Sequence, residues 1–159
     1  MESSESSVIV LVDDEDMVVT SIKSFLALET DYEIHGFTTP AEALEYIRNH
    51  RVDVIVSDYL MPEMDGISFL AKAKEIQPEA TRILLTGYAD KENAIKAIND
   101  VGLYQYIEKP WENDDLKIVL RNGLEKRILM KRLEDKITEV NRAHSELMNL
   151  QKDILKAFA

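Results

Sequence analysis

From Val8 onward, short apolar runs alternate with longer segments of helical spacing, and five such units follow one another. Val8–Val12 predicts a first strand, and Glu15 to Leu28 a helix with Val18, Ile22, Phe25 and Leu26 on one side. Tyr32–Phe37 predicts a second strand. Thr39-Pro40 then opens a helix with Ala43, Leu44 and Ile47 inward, the proline sitting near the first turn, where its missing N–H costs nothing. Val52–Ser57 reads as strand three. The loop Met61-Pro62-Glu63-Met64-Asp65-Gly66 leads into a helix carrying Ile67, Leu70, Ala71 and Ile76, which ends before Pro78. Arg82–Leu85 and Leu103–Ile107 predict strands four and five, with a helix from Asp90 to Val101 between them. This repetition implies an α/β fold with a mainly parallel sheet, its later strands apolar enough to be covered on both faces.

After Pro110 the pattern changes. From Asp114 there is no proline and the only glycine is Gly123, so one helix is expected to run to about residue 158, roughly 65 Å at 1.5 Å per residue. Leu133, Val140, Leu147 and Ile154 recur every seven residues, with Met130, Ile137, His144, Gln151 and Phe158 at the alternate seam positions. A lone helix with this stripe leaves its apolar edge in water, so pairing with a second copy is expected. The polar seam residues His144 and Gln151 weaken packing while fixing register.

Composition narrows the chemistry. The 159 residues are 45% hydrophobic, enough for one globular domain and an appendage. The net charge of -11 is unevenly placed: residues 1–110 hold 21 acids and 9 bases, residues 111–159 hold 9 acids and 10 bases. The acidic part repels phosphate backbones and suits a cation or a basic partner, so direct nucleic-acid binding is not expected. With no cysteine there is no thiolate metal site and no thiol nucleophile. The polar N-terminus lacks the features of a secretory signal and no run is long enough to span a bilayer, so a cytoplasmic chain with no membrane contact of its own is expected.

If the apolar runs are neighbouring parallel strands, their C-terminal ends converge on one edge of the sheet. That edge would carry Asp13-Asp14, Asp58, Thr86-Gly87 and Lys109-Pro110. Three carboxylates without histidine or cysteine suit hard, small Mg2+, leaving room for phosphate oxygens. An aspartate accepts a phosphoryl group when a cation neutralises the transferring oxygens and attack is in line, and Lys109 would neutralise a further oxygen. Thr86 offers a hydroxyl beside a residue without a side chain to block an approaching donor. Singly, Asp14 or Asp58 is equally well read as the N-cap of a following helix. Met61 and Met64 are better loop packing than ligands to a hard cation, and Trp111 is expected to pack at the start of the last helix.

The segments Val-Asp-Asp-Glu (12–15), Ser-Asp-Tyr-Leu-Met-Pro-Glu-Met-Asp-Gly (57–66), Leu-Thr-Gly-Tyr (85–88) and Tyr-Ile-Glu-Lys-Pro-Trp (106–111) resemble the receiver domain of two-component response regulators of the chemotaxis type. The resemblance spans about residues 7–125, between a disordered tail at 1–6 and a coiled-coil extension at 126–159. It implies a doubly wound, flavodoxin-like (βα)5 fold with sheet order 2-1-3-4-5. By the same resemblance Asp58 accepts phosphate from a sensor histidine kinase or a phosphotransfer protein. Asp14, Asp58 and the Leu60 backbone carbonyl bind Mg2+ directly, Asp13 acts through water, and Lys109 contacts the phosphoryl group. Thr86 and Tyr106 form the switch that alters the surface of helix four, strand five and helix five, and Leu60 and Tyr88 flank the site and set the phosphoryl lifetime. Without the resemblance, Tyr106 is an ordinary strand residue half covered by helix four.

The chain is thus expected to be a signalling protein, not an enzyme acting on other substrates, passing its state through a homodimeric helix to an output domain or downstream protein. A receiver-like scaffold that dimerises unphosphorylated is the alternative. A Mg2+-dependent phosphohydrolase of haloacid dehalogenase type fits less well, because its Asp-x-Asp-x-Thr pattern is replaced by Asp13-Asp14-Glu15-Asp16-Met17. His144 lacks the Glu-Leu-Arg-Thr-Pro sequence usual beside a kinase phosphohistidine, and His35 and His50 have no partner motif.

Overall fold

In the computed structural model, residues 7–87 and 90–158 are described, apart from the side chains at 91 and 97. The expected tail at 1–6 and Tyr88 lie outside the described residues. The chain divides into two compact units, Met1–Arg127 and Ile128–Ala159.

In the first unit β1 (Val8–Val12), α1 (Asp16–Glu29), β2 (Glu33–Phe37), α2 (Pro40–Asn49), β3 (Val54–Asp58), α3 (Gly66–Ile76), β4 (Thr81–Thr86), α4 (Lys91–Asp100) and β5 (Gln105–Glu108) alternate along the chain. The strands form one parallel sheet in the order β2-β1-β3-β4-β5, the flavodoxin-like order the resemblance implies. Alternate strand residues feed two cores, as the two-residue period of a strand requires. Ile9, Leu11, Val54, Val56, Ile83 and Leu85 pack with α1 and the first turns of α5 (Asn113–Ala157), whereas Val10, Val12, Ile55 and Leu84 pack with α2, α3 and α4. β3 and β4 are buried along their whole length, with apolar stretches at 54–56 and 83–85 and buried polar residues at their ends. β5 and β2 lie at the edges and are only partly covered, which corrects the expectation that strand five is sheathed on both faces.

Two helix faces differ from the sequence reading. α1 buries Val19, Ile22 and Leu26, with Val18 and Phe25 only partly covered. α3 buries Gly66, Phe69, Leu70 and Ala73, an i, i+3, i+4, i+7 stripe that moves Ile67, Ala71 and Ile76 to its margin. Gly66 sets this rotation: its N–H donates to the Tyr59 carbonyl at 2.8 Å, and a Cβ there would overlap the Asp58 carbonyl. β3 starts later than read from sequence: the Val52 N–H donates to the Gln77 side chain rather than to a neighbouring strand, and Asp53, whose carboxylate accepts from the Val8 N–H, leads into the ladder through its backbone bonds to Val8 and Thr81. His35 and His50 both stack on the Tyr46 ring, at 4.5 and 4.0 Å between centroids, and are packing residues.

α5 begins inside the first unit, where Leu116, Leu120, Gly123 and Leu124 are buried. The Gly123 carbonyl accepts from Thr81 Oγ1 at 3.0 Å, and the Arg127 guanidinium lies 3.5 Å from Glu79 and 4.0 Å from the buried Asp53. In the second unit the side chains at 128–158 are all exposed, including Met130, Leu133, Ile137, Val140, His144, Leu147, Gln151 and Ile154 of the heptad stripe. No helix among the described residues is long and apolar enough to cross a membrane.

Because the atoms opposing a Cβ at Gly66 belong to the backbone of β3, they cannot swing aside. Gly66→Ala is therefore expected to destabilise the fold by about 2–3 kcal/mol, the upper range for overpacking. Urea denaturation measures this as a lowered midpoint with an unchanged slope.

Candidate functional site

The C-terminal ends of β1, β3, β4 and β5 place Asp13, Asp58, Thr86 and Lys109 at one edge of the sheet. Strand register brings them close: Val12 pairs with Ser57, Asp58 with Leu85, and Thr86 with Glu108. The Lys109 N–H then donates to the Thr86 carbonyl at 2.8 Å, so the lysine is held one step beyond the ladder.

Neither candidate N-cap role is seen. The N-cap of α1 is Glu15 and that of α3 is Asp65, whose carboxylate accepts from the Ser68 N–H. Asp14 and Asp58 are left to the edge cluster. Carboxylate oxygens of Asp13, Asp14 and Asp58 lie within 4.8 Å of one another. Asp13 is fully buried and Asp58 nearly so, while Asp14 is exposed. Adjacent aspartates thus have opposite environments although their carboxylates share one cluster.

One ammonium balances this negative charge. Lys109 Nζ is 2.8 Å from Asp58 Oδ1 and 3.6 Å from Asp13 Oδ2. Asp13 Oδ1 accepts from the Glu15 N–H at 2.9 Å, whereas its buried Oδ2 accepts no hydrogen bond. Burial, reinforced by the charges of Asp58 and Asp14, pushes the Asp13 carboxyl up to about 6 against the Glu15 hydrogen bond and Lys109. Burial also raises Asp58, with Lys109 opposing. For Lys109 burial acts downward, but the Asp58 hydrogen bond and the charges of Asp13, Asp58 and Glu15 outweigh it and the ammonium is held above its ordinary value. A buried carboxylate oxygen without a hydrogen bond, beside two more carboxylates and no soft donor, fits a hard divalent cation.

Thr86 is fully buried and its hydroxyl donates to the Gly87 carbonyl at 3.2 Å. Among the described residues that are not its chain neighbours, a Cβ on Gly87 would meet nothing nearer than Asp90 Oδ2 at 3.9 Å. Tyr106 is half-buried on β5, opposite Leu84 and packed against the α4-side core. Leu60 is 63% exposed beside the cluster. Trp111 packs against the α1–α5 core, and Met61 is buried, both as expected of packing residues. Sequence reasoning missed Gly66 as the residue on which the Asp58 backbone rests; the Met-Asp-Gly run ahead of an apolar helix was its only signal.

The family model for the response regulator receiver domain matches residues 9–121. The hydrogenase transcriptional regulatory protein HoxA of Cupriavidus necator is 33% identical over 123 residues, covering 77% of this chain and 25% of HoxA. The transcriptional regulatory protein YhcZ of Bacillus subtilis is 31% identical over 160 residues, covering 95% of this chain and 74% of YhcZ. The chain spans only about a quarter of the length of HoxA and of AtoC, a regulatory protein of Escherichia coli. Among solved structures, a response regulator receiver domain protein from Clostridium thermocellum superposes with a TM-score of 0.73 at 30% identity, covering 78% of this chain and 98% of that one. An adenylate cyclase from Rhodopirellula baltica gives 0.80 at 28% identity, with 84% and 98% covered.

The raised Asp13 value has a defined sign. The folded state holds this proton more tightly than the unfolded state, so the stability linked to it is complete below 3.8 and is lost as pH rises through about 6. Asp13→Asn keeps the acceptor for Glu15 and removes the buried charge. At pH 7 in chelator it is expected to stabilise the protein by up to about 3 kcal/mol, a gain that vanishes in acid. Denaturation curves across this pH range check it.

Proposed function

The chain belongs to the response regulator receiver domain family, and from that premise we propose that Asp58 is its phosphoacceptor, receiving a phosphoryl group from the phosphohistidine of a sensor histidine kinase or phosphotransfer protein. One observation carries this reading: Lys109 Nζ sits 2.8 Å from Asp58 Oδ1 in a pocket where Asp13 and Asp14 add further negative charge. A structural ion pair needs one carboxylate. Three carboxylates within 4.8 Å of one another, only two of them near the ammonium, suit a second cation, and in-line transfer to a carboxylate requires one.

Asp13, Asp14 and Asp58, with the backbone carbonyl of Leu60, would hold Mg2+. Bound there, Mg2+ supplies positive charge to the phosphoryl oxygens in transfer. An Asp58 carboxylate oxygen forms the new O–P bond as the N–P bond of phosphohistidine breaks, and its electron pair returns to the imidazole. Lys109 neutralises phosphoryl charge as it gathers beside Asp58. Thr86 then exchanges its Gly87 carbonyl for a phosphoryl oxygen, a contact that exists only in the modified state and so can shift a conformational equilibrium. Tyr106, half-buried on β5, turns inward into the space Thr86 vacates. Leu60 and Tyr88 flank the acyl phosphate and set how readily water reaches it.

The modified state is read out through the C-terminal helix, paired with that of a second copy along Met130, Leu133, Ile137, Val140, His144, Leu147 and Ile154, toward an output domain or partner. On this reading the chain is a cytoplasmic signalling protein that promotes only its own phosphorylation and dephosphorylation. Its domains are the receiver at 7–125 and the coiled-coil extension at 126–159.

Acetyl phosphate with Mg2+ is expected to retard wild-type protein on a phosphate-binding gel. Asp58→Asn, or excess chelator, should abolish the shift. Retardation that survives Asp58→Asn places the chemistry elsewhere, and no retardation of wild type removes the proposal.

A further inference from the structure

The apolar face of α5 changes width along the second unit. On a helical projection, Leu129, Leu133, Ile137, Val140 and Met130 occupy an arc of roughly 100°, bounded by Lys136, Arg132 and Glu139 on one side and Asn141 and Glu134 on the other. That is the width two helices need. Beyond Val140 the bounding charges give way to Ala143, Leu150 and Ala157 on one flank and to Met148 and Leu155 on the other, and the arc widens to roughly 180°. Glu146, Asn149, Lys152, Asp153 and Lys156 fill the opposite half.

Within the wider face lie two complete seven-residue seams that share Val140, Leu147 and Ile154. One continues through His144 and Gln151. The other runs through Ala143, Leu150 and Ala157 and is wholly apolar. A helix with one neighbour uses one seam; a helix at the corner of a four-helix bundle touches two neighbours and needs both. Leu150 is 56% exposed, Leu155 71% and Phe158 85%. Pairing along the His144 seam covers the shared residues and leaves the Leu150 flank in water.

We propose that Ala143–Phe158 assembles as a four-helix bundle of four copies of this chain, two paired helices meeting two more along the Ala143, Leu150 and Ala157 flank. The proposal rests on the helix pairing put forward above and extends it. The occupant is this same chain because the flank continues the pairing seam and the segment is electrically balanced, with Glu146 and Asp153 against Lys152 and Lys156. It thus offers no net charge for a foreign partner and no self-repulsion. The alanines at 143 and 157 let identical backbones approach closely.

Sedimentation equilibrium of the full chain at tens of micromolar tests it. The wild type is expected at the mass of four chains. Leu150→Lys combined with Leu155→Glu, which adds one charge of each sign to the flanks and spares the pairing seam through His144 and Gln151, is expected at the mass of two. Helicity by circular dichroism, unchanged in the variant, separates lost association from a lost helix. A wild-type mass of two chains overturns the bundle and leaves the pair standing, and a mass of one overturns both. A four-chain mass that persists in the variant also overturns the bundle.

Discussion

Crowding the carboxylates of Asp13, Asp14 and Asp58 together at the end of a buried parallel sheet, with one ammonium beside Asp58 and Asp13, is the constraint on which the rest of the molecule depends. Like charges this close repel, and burial of Asp13 removes the water that would screen them. Lys109 offsets part of the cost through Asp58, but one buried oxygen of Asp13 still accepts no hydrogen bond. The remaining imbalance is held in place by the sheet. β3 and β4 are covered on both faces, and Gly66 packs directly on the Asp58 backbone, so Asp58 cannot move away from the buried Asp13 without disturbing the core. A site destabilised in this way is one that a cation and a phosphoryl group can stabilise.

The same two strands are anchored at their opposite ends. Asp53 precedes β3 and Thr81 opens β4; Asp53 holds the Val8 N–H and lies beside Arg127, while Thr81 holds the Gly123 carbonyl. Each strand therefore links a site residue at one end to a contact with α5 at the other, Asp58 with Asp53 and Thr86 with Thr81. Arg127 is nearly buried between Asp53 and Glu79, the residues that precede the two strands. Leu85 and Ile107, the neighbours of Thr86 and Tyr106 on β4 and β5, pack in the same core as Trp111 and as Leu116 of the first turn of α5.

Element order and the parallel sheet were legible in the sequence for a physical reason, whereas the strand order 2-1-3-4-5 came from the resemblance to receiver domains. Strands buried on both faces are continuous apolar runs, and parallel strands put all their C-terminal ends on one edge, so five residues distant in sequence could be assigned to one pocket. Helix faces were less legible. In α3, periodicity alone allowed Ile67, Ala71 and Ile76 to face inward, and only the contact of Gly66 with the Asp58 backbone turns Phe69 and Ala73 to the core. Charge environment was not legible either. Asp13 and Asp14 are identical neighbours, yet one is sealed and the other exposed. The Asp53, Arg127 and Glu79 cluster has no motif, since its members come from three distant segments and meet only when α5 packs on the sheet.

The most direct test of the account is where the phosphoryl group is attached. Borohydride reduction of wild-type protein treated with acetyl phosphate and Mg2+ converts an aspartyl phosphate to homoserine, and tandem mass spectrometry of the peptides reads its position. The account predicts homoserine at residue 58 and at no other aspartate. Homoserine at Asp13 or Asp14, or at no position, would contradict it.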